Sequence, residues 1–225
     1  MFDNPYWYAL STEQATLAIG SETVRRYPAD VIPFAGMSDS NSESLEALHD
    51  LLAPDESILV TGKSFAQFSG LEHTDQERAW QMHLPGTSVP AQDEDAALPR
   101  ELGAADAPAM VQLTDVAFPH YFRPRAYILG SYFGVEQDGM LVAMAGERLA
   151  LPGYREISAV CTHPAYTGRG YAATLVRHLV RLHASTGLHS FLHVSAANER
   201  ALRLYEYLGF VKARPLFFNL MRRVP

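Results

Sequence analysis

From Tyr127 onward the apolar positions fall into short, well-punctuated blocks. Two runs, Tyr127 to Val135 and Met140 to Leu149, flank Glu136-Gln137-Asp138-Gly139. An Asp-Gly pair between apolar runs predicts a β-hairpin. Pro152-Gly153 turns the chain again, into a third strand over Arg155 to Thr162. The period then changes. Ala172, Leu175, Val176, Leu179 and Leu182 recur at helical spacing, with Arg177, His178 and Arg181 between them. Gly187 stops that helix, and Ser190 to Val194 reads as a strand. Asn198 stands where it can cap a helix over Glu199 to Leu208, whose Ala201, Leu204, Tyr205 and Leu208 share a face. Gly209 sits where such a helix ends, and Leu216 to Met221 reads as a closing strand.

The first third is less regular. Ser11 or Thr12 can cap a helix over Glu13 to Ile19, and Pro28 and Pro33 break the stretch beyond Tyr27. Leu45, Leu48, Leu51 and Leu52 make an amphipathic helix of Glu43 to Leu52. Ser57 to Val60 reads as a buried strand, and Trp80, Met82 and Leu84 alternate as a second. Residues 85–107 are rich in Pro, Ala, Gly and acidic side chains, the composition of a linker or long loop. The expected organisation is an α/β region of unassigned role at 1–90, a linker at 91–106 and a second domain at 107–225, opened by a helix over Pro108 to Val116. Phe118, Tyr121 and Phe122 are expected to pack in the core rather than line a pocket.

A chain of 225 residues fits one large domain or two small ones. With 48% hydrophobic and 19% charged residues it reads as an ordinary globular enzyme. No apolar run approaches the ~18 residues of a membrane span. The N-terminus has no basic-then-apolar leader, and the lone Cys161 cannot form an internal disulfide. A cytoplasmic location is expected. The net charge of −7 argues against nucleic acid as partner and leans towards a cationic small substrate. His49, His73 and His83 stand apart, and His178, His183, His189 and His193 do not converge with Cys or acidic residues at ligand spacing, so no metal is expected.

The candidate chemistry sits between the third strand and its helix. After Thr162 come His163-Pro164, then Thr167-Gly168-Arg169-Gly170. Strand, glycine turn and helix together aim backbone N–H groups and the positive end of a helix dipole at an anion. Glycines let the chain turn sharply and let the anion approach, and Arg169 adds a cation. There is no G-x-x-x-x-G-K-[ST] loop. Gly168 to Ala173 does spell the G-x-G-x-x-A of a dinucleotide site, but in the wrong context. Five residues separate the strand from the first glycine, and the next strand ends in Ser195-Ala196, not an acidic residue.

Taken together, Thr167-Gly168-Arg169-Gly170-Tyr171-Ala172, the preceding Val160-Cys161-Thr162-His163-Pro164 and the later Asn198 to Phe210 segment resemble the GNAT superfamily of acetyl-CoA-dependent N-acetyltransferases over about residues 107–222. Thr167 departs from the family's usual Gln or Arg. The resemblance implies an α/β (α+β) fold: a mixed, largely antiparallel twisted sheet flanked by helices, here with an N-terminal α/β extension compatible with a degenerate partner half. It implies acetyl-CoA as co-substrate and an amine as acceptor, open among small amines, amino acids, antibiotics, polyamines and protein termini. The acidic balance and the aromatics at Phe118 to Phe122 and Tyr132-Phe133 lean towards a small cationic or amphipathic amine, and no metal, nucleic acid or membrane partner is expected. A homodimer is compatible with it.

By the same resemblance, Val160, Cys161 and Thr162 would pair with the pantetheine arm. Thr167, Gly168, Arg169, Gly170, Tyr171, Ala172 and Ala173 would hold the pyrophosphate, and Asn198 the CoA arm. Tyr205 falls where the family places its general acid. Glu156 falls where the protein-lysine acetyltransferases place a glutamate base. Strand alternation would put Glu156, Ser158, Val160 and Thr162 on one face and Cys161 on the other. Two other readings stand beside this one: a CoA-binding sensor or interaction module without turnover, and, more weakly, a nucleotide-dependent oxidoreductase.

Overall fold

The computed structural model describes residues 2–86, 99–117 and 122–224. Its strands are β1 (Ile19–Gly20), β2 (Val24–Arg26), β3 (Phe34–Met37), β4 (Ser57–Thr61), β5 (Leu71–His83), β6 (Arg100–Leu102), β7 (Tyr132–Gln137), β8 (Met140–Leu151), β9 (Tyr154–Thr162), β10 (His189–Ser195) and β11 (Val211–Arg223). Its helices are α1 (Pro5–Ser11), α2 (Ser42–Leu51), α3 (Ala107–Ala117), α4 (Tyr171–Ser185) and α5 (Glu199–Tyr207). No helix among the described residues is long and apolar enough to cross a membrane.

All the described strands join one sheet, in the order β1-β2-β3-β4-β11-β5-β10-β9-β8-β7-β6. Most neighbours are antiparallel; β3–β4 and β9–β10 are parallel. The sheet is thus mixed and largely antiparallel, as expected. Buried side chains of α1 and α3, including Tyr6, Leu10, Met110 and Leu113, pack on one face with Phe34, Phe191 and Phe218. Leu175, Val176 and Leu179 of α4 and Leu202 and Tyr205 of α5 pack on the other with Ile157 and Leu192. Each helix is held by its apolar stripe.

The sheet order corrects the expected division at 91–106. Strand β5, from the N-terminal third, lies between β10 and β11, and pairs with β11 from Leu71–Arg223 to His83–Val211. The N-terminal third therefore supplies a central strand of the same sheet. Composition hid this, because β5 begins with exposed polar residues and becomes apolar only from Ala79. Within the expected linker, Arg100–Leu102 forms the edge strand β6, paired with β7. Residues 87–98 lie outside the described set, as do Phe118 and Tyr121. Phe122 is buried against Tyr132, as core.

Two other expectations shift. The first helix is α1, entered through Pro5 in its first turn; Thr12 ends it, its hydroxyl donating to the Tyr8 carbonyl at 2.6 Å. Glu13 to Ile19 holds only a short 3₁₀ turn, because Gln14 is drawn inward. Its Nε2 donates to the Arg148 carbonyl at 2.9 Å and its Oε1 accepts from the Tyr27 hydroxyl at 2.6 Å. Residues 126–129 form a 3₁₀ turn, so the hairpin strand begins at Tyr132.

Two irregularities position the site. Strands β9 and β10 pair only at Tyr154–His189, Arg155–Ser190 and Glu156–Phe191, and then splay apart. On the other side of β9 the register jumps from Gly146–Ser158 to Met144–Cys161, leaving Ala159 and Val160 without ladder partners. Ala159 has φ of 51°, an uncommon conformation for a residue with a Cβ. This bulge also breaks the side-chain alternation. Cys161 packs with the α1-side cluster and Val160 against the α4-side cluster. The expected grouping of Val160 with Glu156, and of Cys161 opposite it, is therefore reversed by one extra residue.

Candidate active site

Helix α4 starts directly after the glycine turn. Gly168 and Gly170 have φ of 81° and 80°, and a Cβ built at either meets nothing within 4 Å, so both border open space. No group among the described residues accepts a hydrogen bond from the N–H groups of Gly168 to Ala173; the first α4 amide with an acceptor is Thr174, bonded to the Gly170 carbonyl at 3.1 Å. Free donors, left-handed glycines and a 15-residue helix converge on one spot. The Arg169 guanidinium lies 4.8 Å from the Tyr166 ring centroid, at the same mouth. The helix is anchored at its far end. His183 bridges Glu147 of β8 and Ser190 of β10, at 2.8 Å to each.

A cavity of ≈ 410 Å³ opens there. Val160, Cys161 and Thr162 form one wall, Thr167 through Ala173 a second, and Asn198, Ala201, Leu204 and Tyr205 a third. The structure therefore gathers the loop, strand-end and α5 positions singled out in the sequence around a single space. Asn198 also caps α5, its Oδ1 accepting from the Ala201 N–H at 3.0 Å. Open glycines, unpaired amides and Arg169 suit a diphosphate, and a splayed strand end suits an extended polar arm alongside it.

A second cavity, of ≈ 290 Å³, lies on the α1 side of the sheet, against Phe34, Ala79, Ser158 and Phe218. The two cavities share Val160, Asn198, Ala201 and Tyr205, so they meet through the splay between β9 and β10. Tyr205 stands at that junction. Its ring is 7% exposed and its hydroxyl has no partner among the described residues. Burial pushes its phenol well above the usual range, and the Cys161 and Glu156 charges add to this, so it stays protonated.

Glu156 does not fit the role of base and is corrected here. It is fully buried and lines neither cavity. Arg148 holds it bidentately, at 2.5 and 3.0 Å, and His193 Nδ1 lies 2.7 Å from the same carboxylate. Burial by itself raises this carboxyl, but the Arg148 and His193 charges and hydrogen bonds outweigh it and hold it at about 2. A carboxylate so occupied is a poor proton acceptor. The sequence pattern gave no sign of Arg148, His193 or Gln81, whose Nε2 sits 2.9 Å from His193 Nε2. Arg148 directly follows Glu147, and the β8 irregularity between Glu147 and Ala150, opposite Glu156, turns it inward. Nothing in strand periodicity signals that.

Cys161 borders the first cavity but is 5% exposed, and burial pushes its thiol up to about 12. Iodoacetamide at pH 8 is expected to leave it unmodified in the native protein and to label it rapidly in denaturant, read by intact mass. Fast native labelling would mean that the cleft wall opens. Among the described residues no group of three or more His, Cys, Asp or Glu could hold a metal ion.

A family model described as FR47-like protein matches residues 132–218. A GNAT-family protein from Novosphingobium aromaticivorans is 32% identical, with 100% of this chain and 99% of that one covered and a TM-score of 0.90. The GCN5-related N-acetyltransferase from Kribbella flavida superposes with a TM-score of 0.63 over 97% of this chain and 95% of that one, at 14% identity. The one from Sphaerobacter thermophilus does so with a TM-score of 0.56 over 85% and 72%, at 16% identity. These last two share the fold alone. No curated protein matches the chain.

Proposed function

Because the chain belongs to the GNAT family of acetyltransferases, we propose that it moves the acetyl group of acetyl-CoA to a primary amine, by direct attack while both are bound. One observation supports this above the rest: two cavities, one walled by the glycine turn and one between Phe34, Glu77 and Phe218, meet at Tyr205 and at the unpaired backbone of Ala159-Val160. Two substrates entering from the two sides would touch there and nowhere else.

The residues divide the work. The N–H groups from Gly168 to Ala173, with Arg169, hold the pyrophosphate of CoA. The freed edge of β9 pairs with the pantetheine arm and brings the thioester to the splay. A backbone N–H at the bulge donates to the acetyl oxygen as its negative charge grows, where a fixed donor contributes most. The amine arrives through the second cavity and gives up a proton to water there, since Glu156 is engaged. The C–N bond forms, the C–S bond breaks and the Tyr205 hydroxyl protonates the leaving sulfur; the second proton shed by the nitrogen passes through water in the cleft and restores the phenol.

Calorimetric titration of CoA is expected to show one saturable site per chain, and acetyl-CoA with an amine panel to release free thiol. Thiol release is readable in solution because Cys161 is buried. Binding without release from any amine would favour a CoA-sensing module instead. The Gly168→Val substitution places a branched side chain at φ of 81° on the cavity wall. It is expected to weaken CoA binding at least about tenfold through backbone strain alone. An unchanged Kd would remove the loop from the site.

A further inference from the structure

The acceptor cavity carries one unbalanced charge. Two charged side chains line it, Arg148 and Glu77. Arg148 is met by Glu156. Glu77 is half-buried and has no ion-pair or hydrogen-bond partner among the described residues. The rest of the wall is uncharged or aromatic apart from His193, which is engaged with Glu156: Phe34 and Phe218 stand edge to face at 6.1 Å, and Ser158, Ser195 and Asn198 add neutral polar groups. Aromatic walls and one free carboxylate make a receptor for a cation with an aliphatic body.

The register places Glu77 away from the reacting end. It lies opposite Phe218 of β11, whereas Ala79, two residues on, lies opposite Ser195, next to the splay. Two strand residues span about 7 Å, and one strand spacing adds laterally to give about 7–10 Å. A carboxylate at that remove cannot hold the amine being acetylated; it would hold a second cation on the same molecule. We infer that the acceptor is an amine bearing a distal second cationic group, of the α,ω-diamine class, with the far ammonium on Glu77 and the near nitrogen at the thioester. This rests on the acetyl-transfer reading above.

Three probes of equal length isolate the distal group: 1,4-diaminobutane, 1-aminopentane and 4-aminobutanoate, which end in an ammonium, a methyl and a carboxylate. Each is assayed for thiol release from acetyl-CoA, with CoA affinity measured in parallel. The expected order of kcat/KM is diamine, then monoamine, then amino acid. In Glu77→Gln the diamine-to-monoamine ratio is expected to fall about tenfold, and in Glu77→Lys the amino acid should overtake the diamine. Unchanged CoA affinity and melting temperature in both variants would show that they fold. If the three probes react alike, or the ratio survives both substitutions, the inference is wrong while acetyl transfer stands. If CoA does not bind at all, the underlying reading fails, and this one with it.

Discussion

Phenylalanine at position 205 is expected to lower kcat by about two to four orders of magnitude, the usual worth of a positioned general acid. The Michaelis constant for acetyl-CoA should change little, because the ring remains and only the proton goes. Fold stability should hold for the same reason. Tyr205 packs edge to face on Phe210 at 6.1 Å, and its hydroxyl has no partner among the described residues to lose. This separates a donor from a core tyrosine, for which the same change would leave kcat untouched. The pH profile gives a second reading. Because burial raises the phenol well above its usual value, the wild-type rate should not fall on the alkaline side up to about pH 10, where an ordinary tyrosine titrates. A variant that keeps full kcat with good CoA affinity would pass the donor role to water in the cleft.

How much of the molecule was legible in the sequence depended on whether the signal was local. The glycine turn and α4 were legible because each residue's role there derives from its neighbours: Gly170 at the helix entry, Leu175 and Leu179 on the buried stripe. The cap at Asn198 was legible for the same reason. The bulge at Ala159 was not, since an alanine at φ of 51° is held by the strands on either side and leaves no mark in its own sequence. That one residue reversed the faces of Val160 and Cys161. Strand β5 failed differently. Its first half is polar and exposed, and its partner β11 is more than a hundred residues away in the chain, so no window of sequence could pair them. Short strands such as Phe34–Met37 held too few residues for a period to show, yet Phe34 lines the acceptor cavity. The halves of the site thus differ: the diphosphate side is written in one stretch, and the acceptor side is assembled from β3, β5, β8, β9, β10, β11 and α5.

The Glu156→Ala substitution is expected to be the most damaging to the fold. It removes the carboxylate that the Arg148 guanidinium and the His193 imidazole share, and these side chains are only 13% and 2% exposed. Removing one member of a buried ion pair typically costs about 3–5 kcal/mol, far more than the pair itself contributes over apolar residues of like volume. For a chain this size that is a fall in Tm of about 10 °C. Replacing both partners, Arg148→Met with Glu156→Leu, should therefore recover most of the loss, which a general base could not do for activity or stability. The acid limb has its origin in the same group. Its carboxyl titrates near 2 in the folded protein, below the 4.5 of an unperturbed glutamate. The unfolded chain thus takes up the proton first as pH drops. The contribution of Glu156 is complete above about 4.5 and is lost progressively as pH falls towards 2. Denaturant midpoints between pH 7 and pH 3 should fall in the wild type and flatten in the double variant. Equal slopes in the two proteins would mean that Glu156 is not held as the geometry describes.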